Sequence, residues 1–249
     1  MIKPLAVVRT TLAVSGWVLA SSSVHAINIT LPTTNLDAEA VFSFSEEASS
    51  LFQMVGVSAS ALGTTKPEGS SGWSFMMPVT EVTLNASIFP LGLSPVAGEA
   101  SGAGLLIQKG SNLLSLANFT LDFSRNVMLA DISSRNGSLA QIDLFNFNVK
   151  QGLHLSTSGG LSMAMTLENM TMSAAAQTQF IWGLRLNATE RLALPSTDFG
   201  SLAINISPGL RFDVSDKPLV AAVPELSTWA MLAAGMFGIA FVSRRKLAA

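Results

Sequence analysis

The chain has 249 residues, 49% of them hydrophobic and 12% charged, with no cysteine and no tyrosine; that excludes a disulfide framework, a cysteine nucleophile, thiolate zinc sites and cysteine-ligated iron–sulfur clusters. A mean hydropathy of +0.45 suggests a membrane protein, yet the long apolar runs lie at the two ends, and the middle mixes Ser, Thr, Asn and Gly with short apolar stretches. The net charge is −2, but Lys3, Arg9, Arg244, Arg245 and Lys246 flank the terminal runs and leave the rest of the chain at −7, which argues against nucleic acid, whose phosphates demand clustered Lys and Arg.

Residues 1–26 read as a secretory signal peptide. Lys3 and Arg9 make a positive start, Thr10 to Ala20 is mostly apolar, and Val24-His25-Ala26 puts small residues where a signal peptidase accepts them. Val24, Ala26 and Ile27 therefore mark the cleavage, and the mature chain begins at Ile27. A retained N-terminal anchor helix is the alternative, against which the apolar stretch is short for spanning. Of the two histidines, His25 and His154, only the second would survive processing.

Residues 27–218 are long enough for one domain with a sizeable core. Strands are predicted around Ala38–Ser45 and Phe52–Ala59, and Lys66 to Gly72 is a loop by composition. From Val79 to Phe89, Val82, Leu84, Ala86 and Ile88 alternate with Glu81, Thr83, Asn85 and Ser87, the pattern of a half-buried strand. A second alternation runs from Leu113 to Phe123, with Phe119, Leu121 and Phe123 on one face and Asn118, Thr120 and Asp122 on the other. Arg125-Asn126 then turns the chain into Val127–Ser133, and Asn136-Gly137 suits a type I′ hairpin turn into Leu139–Val149. Ser158-Gly159-Gly160 separates Gly152–Thr157 from Leu161–Leu167. Ser173 can cap one short helix over Ala174–Trp182, where Ala176, Phe180 and Leu184 recur at four-residue steps. A last strand over Ser201–Ile206 is expected to stop at Pro208. The fold class expected is mainly β, an antiparallel sandwich or meander with that one late helix.

From Asp213 to Ser227 the composition is that of a linker, so 219–228 form a linker and motif and 229–249 a hydrophobic helix with a basic end. The apolar run Trp229–Val242 would span about 21 Å as a helix, short of the ~30 Å hydrocarbon core. Arg244, Arg245 and Lys246 follow it and would be retained in the cytoplasm. Val223-Pro224-Glu225 and Ser227-Thr228-Trp229-Ala230-Met231, followed by this helix and basic end, resemble the PEP-CTERM sorting signal of Gram-negative bacteria. The likeness covers about a tenth of the chain; Leu226 departs from it, standing where the family has its second proline. The resemblance implies that Pro224 and Glu225 are read by a membrane-embedded exosortase, that the helix is a stop-transfer segment, and that the body reaches the cell surface or extracellular matrix. An ordinary tail anchor is the alternative reading.

The chemistry-bearing residues are sparse. His154, flanked by Leu153 and Leu155, is the sole base for a serine hydrolase, and no Gly-x-Ser-x-Gly elbow surrounds any serine. Asp122, Asp131 and Asp143 on neighbouring strands are the candidates for a carboxylate-based hydrolase. Met163, Met165, Met170 and Met172 could hold Cu(I), although the alternation of Met163 and Met165 fits strand core residues. Seven Asn-x-Ser/Thr triplets, at Asn28, Asn85, Asn118, Asn136, Asn169, Asn187 and Asn205, read as polar strand faces in a bacterial protein. The expectation is thus an exported, non-catalytic surface or biofilm-matrix protein with no cofactor and no metal. Its partners would be signal peptidase, an exosortase, the inner membrane in transit and an exopolysaccharide, with no nucleic acid among them. The alternatives are a ligand-binding ectodomain for a saccharide or metal, and a hydrolase.

Overall fold

A computed structural model describes residues 27–88, 91–157, 162–211 and 214–220. The expected signal peptide with Val24 and Ala26, the expected sorting motif from Val223 to Trp229 and the cluster Arg244–Lys246 lie outside the described residues.

The first elements are β1 (Ile27–Pro32), β2 (Leu36–Phe44), α1 (Glu46–Met54), β3 (Val57–Gly63), β4 (Lys66–Pro67), β5 (Ser74–Pro78) and β6 (Glu81–Ile88). They are followed by β7 (Leu91–Lys109), β8 (Asn112–Asp122), β9 (Val127–Ser134), β10 (Gly137–Ser156), β11 (Ser162–Met172), α2 (Ala174–Leu184), α3 (Ala188–Ala193) and β12 (Gly200–Leu210). All pairings are antiparallel, and β6 to β12 form an unbroken meander whose far edge continues through β2, β5 and β4. The chain is mainly β, as the alternations predict.

The meander curls back on itself. β5 bonds to β2 while β6 bonds to β7, and only Val79 and Thr80 stand between β5 and β6. There Val79 N donates to Ala38 O at 2.9 Å and Thr80 N to Glu99 O at 2.8 Å. One segment, 74–88, therefore joins the two ends of the meander and places one face of every long strand inside. The inner residues include Phe42, Phe75, Leu105, Ile107, Leu116, Leu121, Ile132, Leu167 and Leu202, all buried.

Curling needs bends, and these come from register shifts in all four ladders from β7 to β11. At or beside them stand residues with positive φ: Gly102 at 77°, Asn118 at 52°, Gln141 at 46° and Asn169 at 54°. A bulge adds a residue to one strand, bends it and increases its twist. Asn tolerates the left-handed region because its short amide bonds locally. The line of bulges separates an end covered by helices from an open end.

Five sequence expectations are corrected. Lys66 and Pro67, expected to open a loop, instead form β4 by pairing with Met76 and Phe75. Phe52 is in α1, not in a strand, because Ser45 accepts the Ala48 amide at 2.9 Å as an N-cap and Glu46 and Glu47 follow in the first turn. The described residues hold three helices rather than one: α2 forms where predicted, capped by Ser173, and α3 is closed by a capping box between Asn187 and Glu190. The β9–β10 turn is Arg135-Asn136, since Ser134 pairs with Gly137, and Gly137 alone carries positive φ (122°). Finally, β12 runs through Pro208 to Leu210, because a register shift between Ser207 and Leu210 leaves the proline no ladder bond to supply.

Candidate functional site

The three candidate carboxylates point away from the core and are held by structural partners. Arg125 Nε meets Asp122 Oδ2 at 2.7 Å and Arg125 Nη1 meets Asp143 Oδ1 at 3.1 Å, so one guanidinium bridges both acids. Asp122 also accepts the Ser124 hydroxyl at 2.6 Å, and these bonds hold its carboxyl down at about 2. Asp131 accepts Asn118 Nδ2 at 2.7 Å and the Gln141 backbone amide at 2.8 Å. A pair of facing acids with room for a substrate is not assembled. His154 is exposed on β10 opposite Ala164. Met165, Met170 and Met172 are buried in the core and Met163 is packed against it, as core residues rather than a ligand set. Among the described residues no group of three His, Asp or Glu could hold a metal, and no helix is long and apolar enough to cross a membrane.

Two of the cavities among the described residues lie inside the sheet. One, of about 50 Å³, lies at the open end among Met77, Val82, Leu84, Phe123, Leu153 and Met163. Glu99 reaches its rim, and Glu81 stands directly opposite on β6. Burial, then repulsion from Glu81, pushes the Glu99 carboxyl above its ordinary range. The other, about 10 Å³, lies among the rings of Phe42, Phe44, Phe52, Phe145 and Phe199. Neither is lined by Asp131, Asp143 or His154.

The most developed polar site was invisible to alternation. That pattern puts Asn118 outside, but the β8 bulge turns it into a buried position, 7% exposed. Its Oδ1 accepts Leu219 N at 2.8 Å and Gly102 N at 3.1 Å, while Nδ2 donates to Leu219 O at 3.0 Å and to Asp131. Gln141 Nε2 donates to the Asn118 carbonyl at 2.8 Å. The amide is saturated, and it pairs with the Leu219 backbone in the manner of a neighbouring strand.

The segment 214–220 lies on this amide as a strap. A Cβ at Gly63 would stand 2.4 Å from Leu219 Cδ1, and one at Gly102 would stand 2.9 Å from the Lys217 carbonyl oxygen. Both glycines also have positive φ, 65° and 77°, so backbone conformation and close approach demand glycine together. Upstream, Arg211 donates to the carbonyls of Ala38 (2.5 Å), Val79 (2.8 Å) and Thr33 (3.3 Å). Burial lowers its pKa, with Glu39 and Asp37 acting the other way. Residues read from sequence as the start of a linker are thus fastened to the body.

Five of the seven triplet asparagines also take structural roles. Asn118 and Asn169 occupy left-handed bulge positions, Asn187 caps α3, and Asn85 Nδ2 bonds Asn28 Oδ1 at 2.8 Å across β6 and β1.

No protein-family model matches the chain, and no curated protein matches it at a significant level. Among solved structures, the C-terminal domain of HtaA from Corynebacterium glutamicum aligns at a TM-score of 0.42 and 12% identity, covering 70% of this chain and 98% of that domain. A TM-score of that size does not define a shared fold.

Proposed function

We propose that the chain is an exported surface or matrix protein, sorted by an exosortase through Val223-Pro224-Glu225 and Ser227-Thr228-Trp229, with a non-catalytic structural or adhesive role. Signal peptidase would release the body at Ile27, the first residue of the exposed strand β1. The observation that carries the reading is the strap. Asn118 holds Leu219 on the body, and the four residues from Leu219 to Val223 reach at most about 14 Å. A sortase would therefore meet its motif close beside folded cargo, with the basic cluster Arg244–Lys246 left on the cytoplasmic side. Asp122, Asp131 and Asp143, engaged in structural contacts, supply no free acid–base pair and so favour a non-catalytic body.

The test compares a host with and without its exosortase. The mature C-terminus is read by mass spectrometry and exposure by protease shaving of intact cells. Truncation near Pro224-Glu225 and surface exposure should both require the sortase. If neither changes when it is removed, the sorting reading fails.

A further inference from the structure

α2 buries Ala176, Phe180, Gly183 and Leu184 against the sheet and sends Trp182 outward, where it is 64% exposed. Among the described residues no ring contact or hydrogen bond engages this indole. Its position is therefore unexplained by packing. Exposed apolar surface that is rimmed by polar groups is the form a ligand-binding groove takes.

Beside the indole runs an open cleft of about 410 Å³, formed by Gln179 and Trp182 of α2 and by Asn136, Gly137, Ser138 and Leu139 of the β9–β10 hairpin. None of these residues is charged. Among the described residues the side-chain amides of Asn136 and Gln179 have no partner, so each offers two donors and an acceptor. Ser138 shares its hydroxyl with Ser133 at 2.9 Å, which fixes it at the cleft edge. Leu139, 46% exposed, extends the apolar surface from the indole.

We infer that this cleft binds an uncharged polysaccharide, with Trp182 as its platform. A pyranose ring presents a flat face of C–H groups edged by hydroxyls. The C–H face covers the indole, and the hydroxyls meet amides that both donate and accept. An anionic polymer would find no counter-charge among the cleft residues themselves, the exposed Arg135 standing beside Asn136 outside the lining, and desolvating its charges against the indole and Leu139 would go largely uncompensated. A cleft open to solvent suits a polymer lying across it rather than a small enclosed ligand. The inference deepens the adhesive part of the proposed function and rests on that reading for its setting, though binding is measured apart from sorting.

The experiment is affinity electrophoresis of the full-length chain in detergent, through gels containing dextran, laminarin or galactomannan, with alginate as the anionic polymer. At least one uncharged polymer should retard the chain while alginate does not. Trp182→Ala should weaken that retardation about tenfold or more, as loss of an aromatic anchor does, and Trp182→Phe should keep part of it. Leu192→Ala, which removes an exposed apolar residue from α3, should bind as the unaltered chain does. Processing by the exosortase should be unchanged in Trp182→Ala, so loss of binding and loss of sorting are read separately. The inference is overturned if no uncharged polymer retards the chain or if Trp182→Ala binds normally. It is overturned too if alginate is bound equally well, or if Trp182→Ala instead abolishes self-association seen by sedimentation, which would make the face a contact between copies.

Discussion

Under the helices, Phe42 stacks on Phe145 with centroids 5.9 Å apart, and Phe44 meets Phe42, Phe52, Trp73 and Phe75 edge to face at 4.8–6.2 Å. Phe199 joins Phe52 and Phe145, and the free space left is about 10 Å³. At the open end, Val82, Leu84, Leu121, Ile204 and Ile206 meet Met163 and Met165 around about 50 Å³, beside the rings of Phe119 and Phe123 and with an acid at the rim. One sheet therefore carries two grades of packing. Interlocked rings give a single arrangement with little slack, whereas aliphatic and methionine side chains tolerate space and rearrangement. The bulges divide the two, and the strap sits on that divide.

The sharpest way to break this contrast is to empty each end in turn. Phe42→Ala should cost about 3–5 kcal/mol, because the surrounding rings cannot collapse into the hole. Met163→Ala, half-buried beside existing space, should cost about 1 kcal/mol. Urea melts of the two variants read the difference, and equal losses would mean that the ends are packed alike. Asn118→Ala should come next, at about 2–3 kcal/mol, since it strips four side-chain hydrogen bonds from half-buried and buried partners and removes a residue suited to φ 52°. Hydrogen exchange should show the Leu219 amide losing protection while amides in β12 keep theirs; joint loss would tie the strap to the sheet more tightly than the geometry does.

The smallest effect has the opposite sign. Glu99 has its pKa raised in the folded state, so its ionisation works against folding, and stability falls as pH rises from the ordinary glutamate value of 4.5 through the raised folded value. Glu99→Gln should raise the melting temperature at pH 7 by about 2 °C, and the gain should vanish below the ordinary value. A gain that persists in acid would place its origin in packing rather than charge.

The sequence revealed those parts of the fold that depend on local repetition. Val82 and Leu84 face inward as their alternation requires, and Ser173 caps α2 as its chemistry suggests. α1 was also legible in Ser45-Glu46-Glu47-Ala48, but Phe52 drew attention to a two-residue period. Asn118 was not legible, because a bulge reverses a strand's facing without marking the strand's own composition. Nothing in the sequence around Gly102 marks its role, and only the strap reveals what its missing side chain makes room for. Trp182 fell off the Ala176–Phe180–Leu184 stripe in the sequence itself. Its cleft depends on where the β9–β10 hairpin lands, a tertiary matter that no spacing encodes. The proposed sorting signal, in contrast, rests on a resemblance in the linear sequence around Pro224, Glu225 and Trp229, which lie outside the described residues.

The strap also decides how the molecule meets a mechanical load. Tension applied beyond Leu219 reaches the Asn118 amide before it reaches β12, and the two opposed bonds there must fail first. Once they yield, the pull moves back along the chain to the Arg211 guanidinium, anchored on three carbonyls. The chain's exit thus contains two fasteners in series, and a tug on its tail is absorbed in stages before any strand begins to peel.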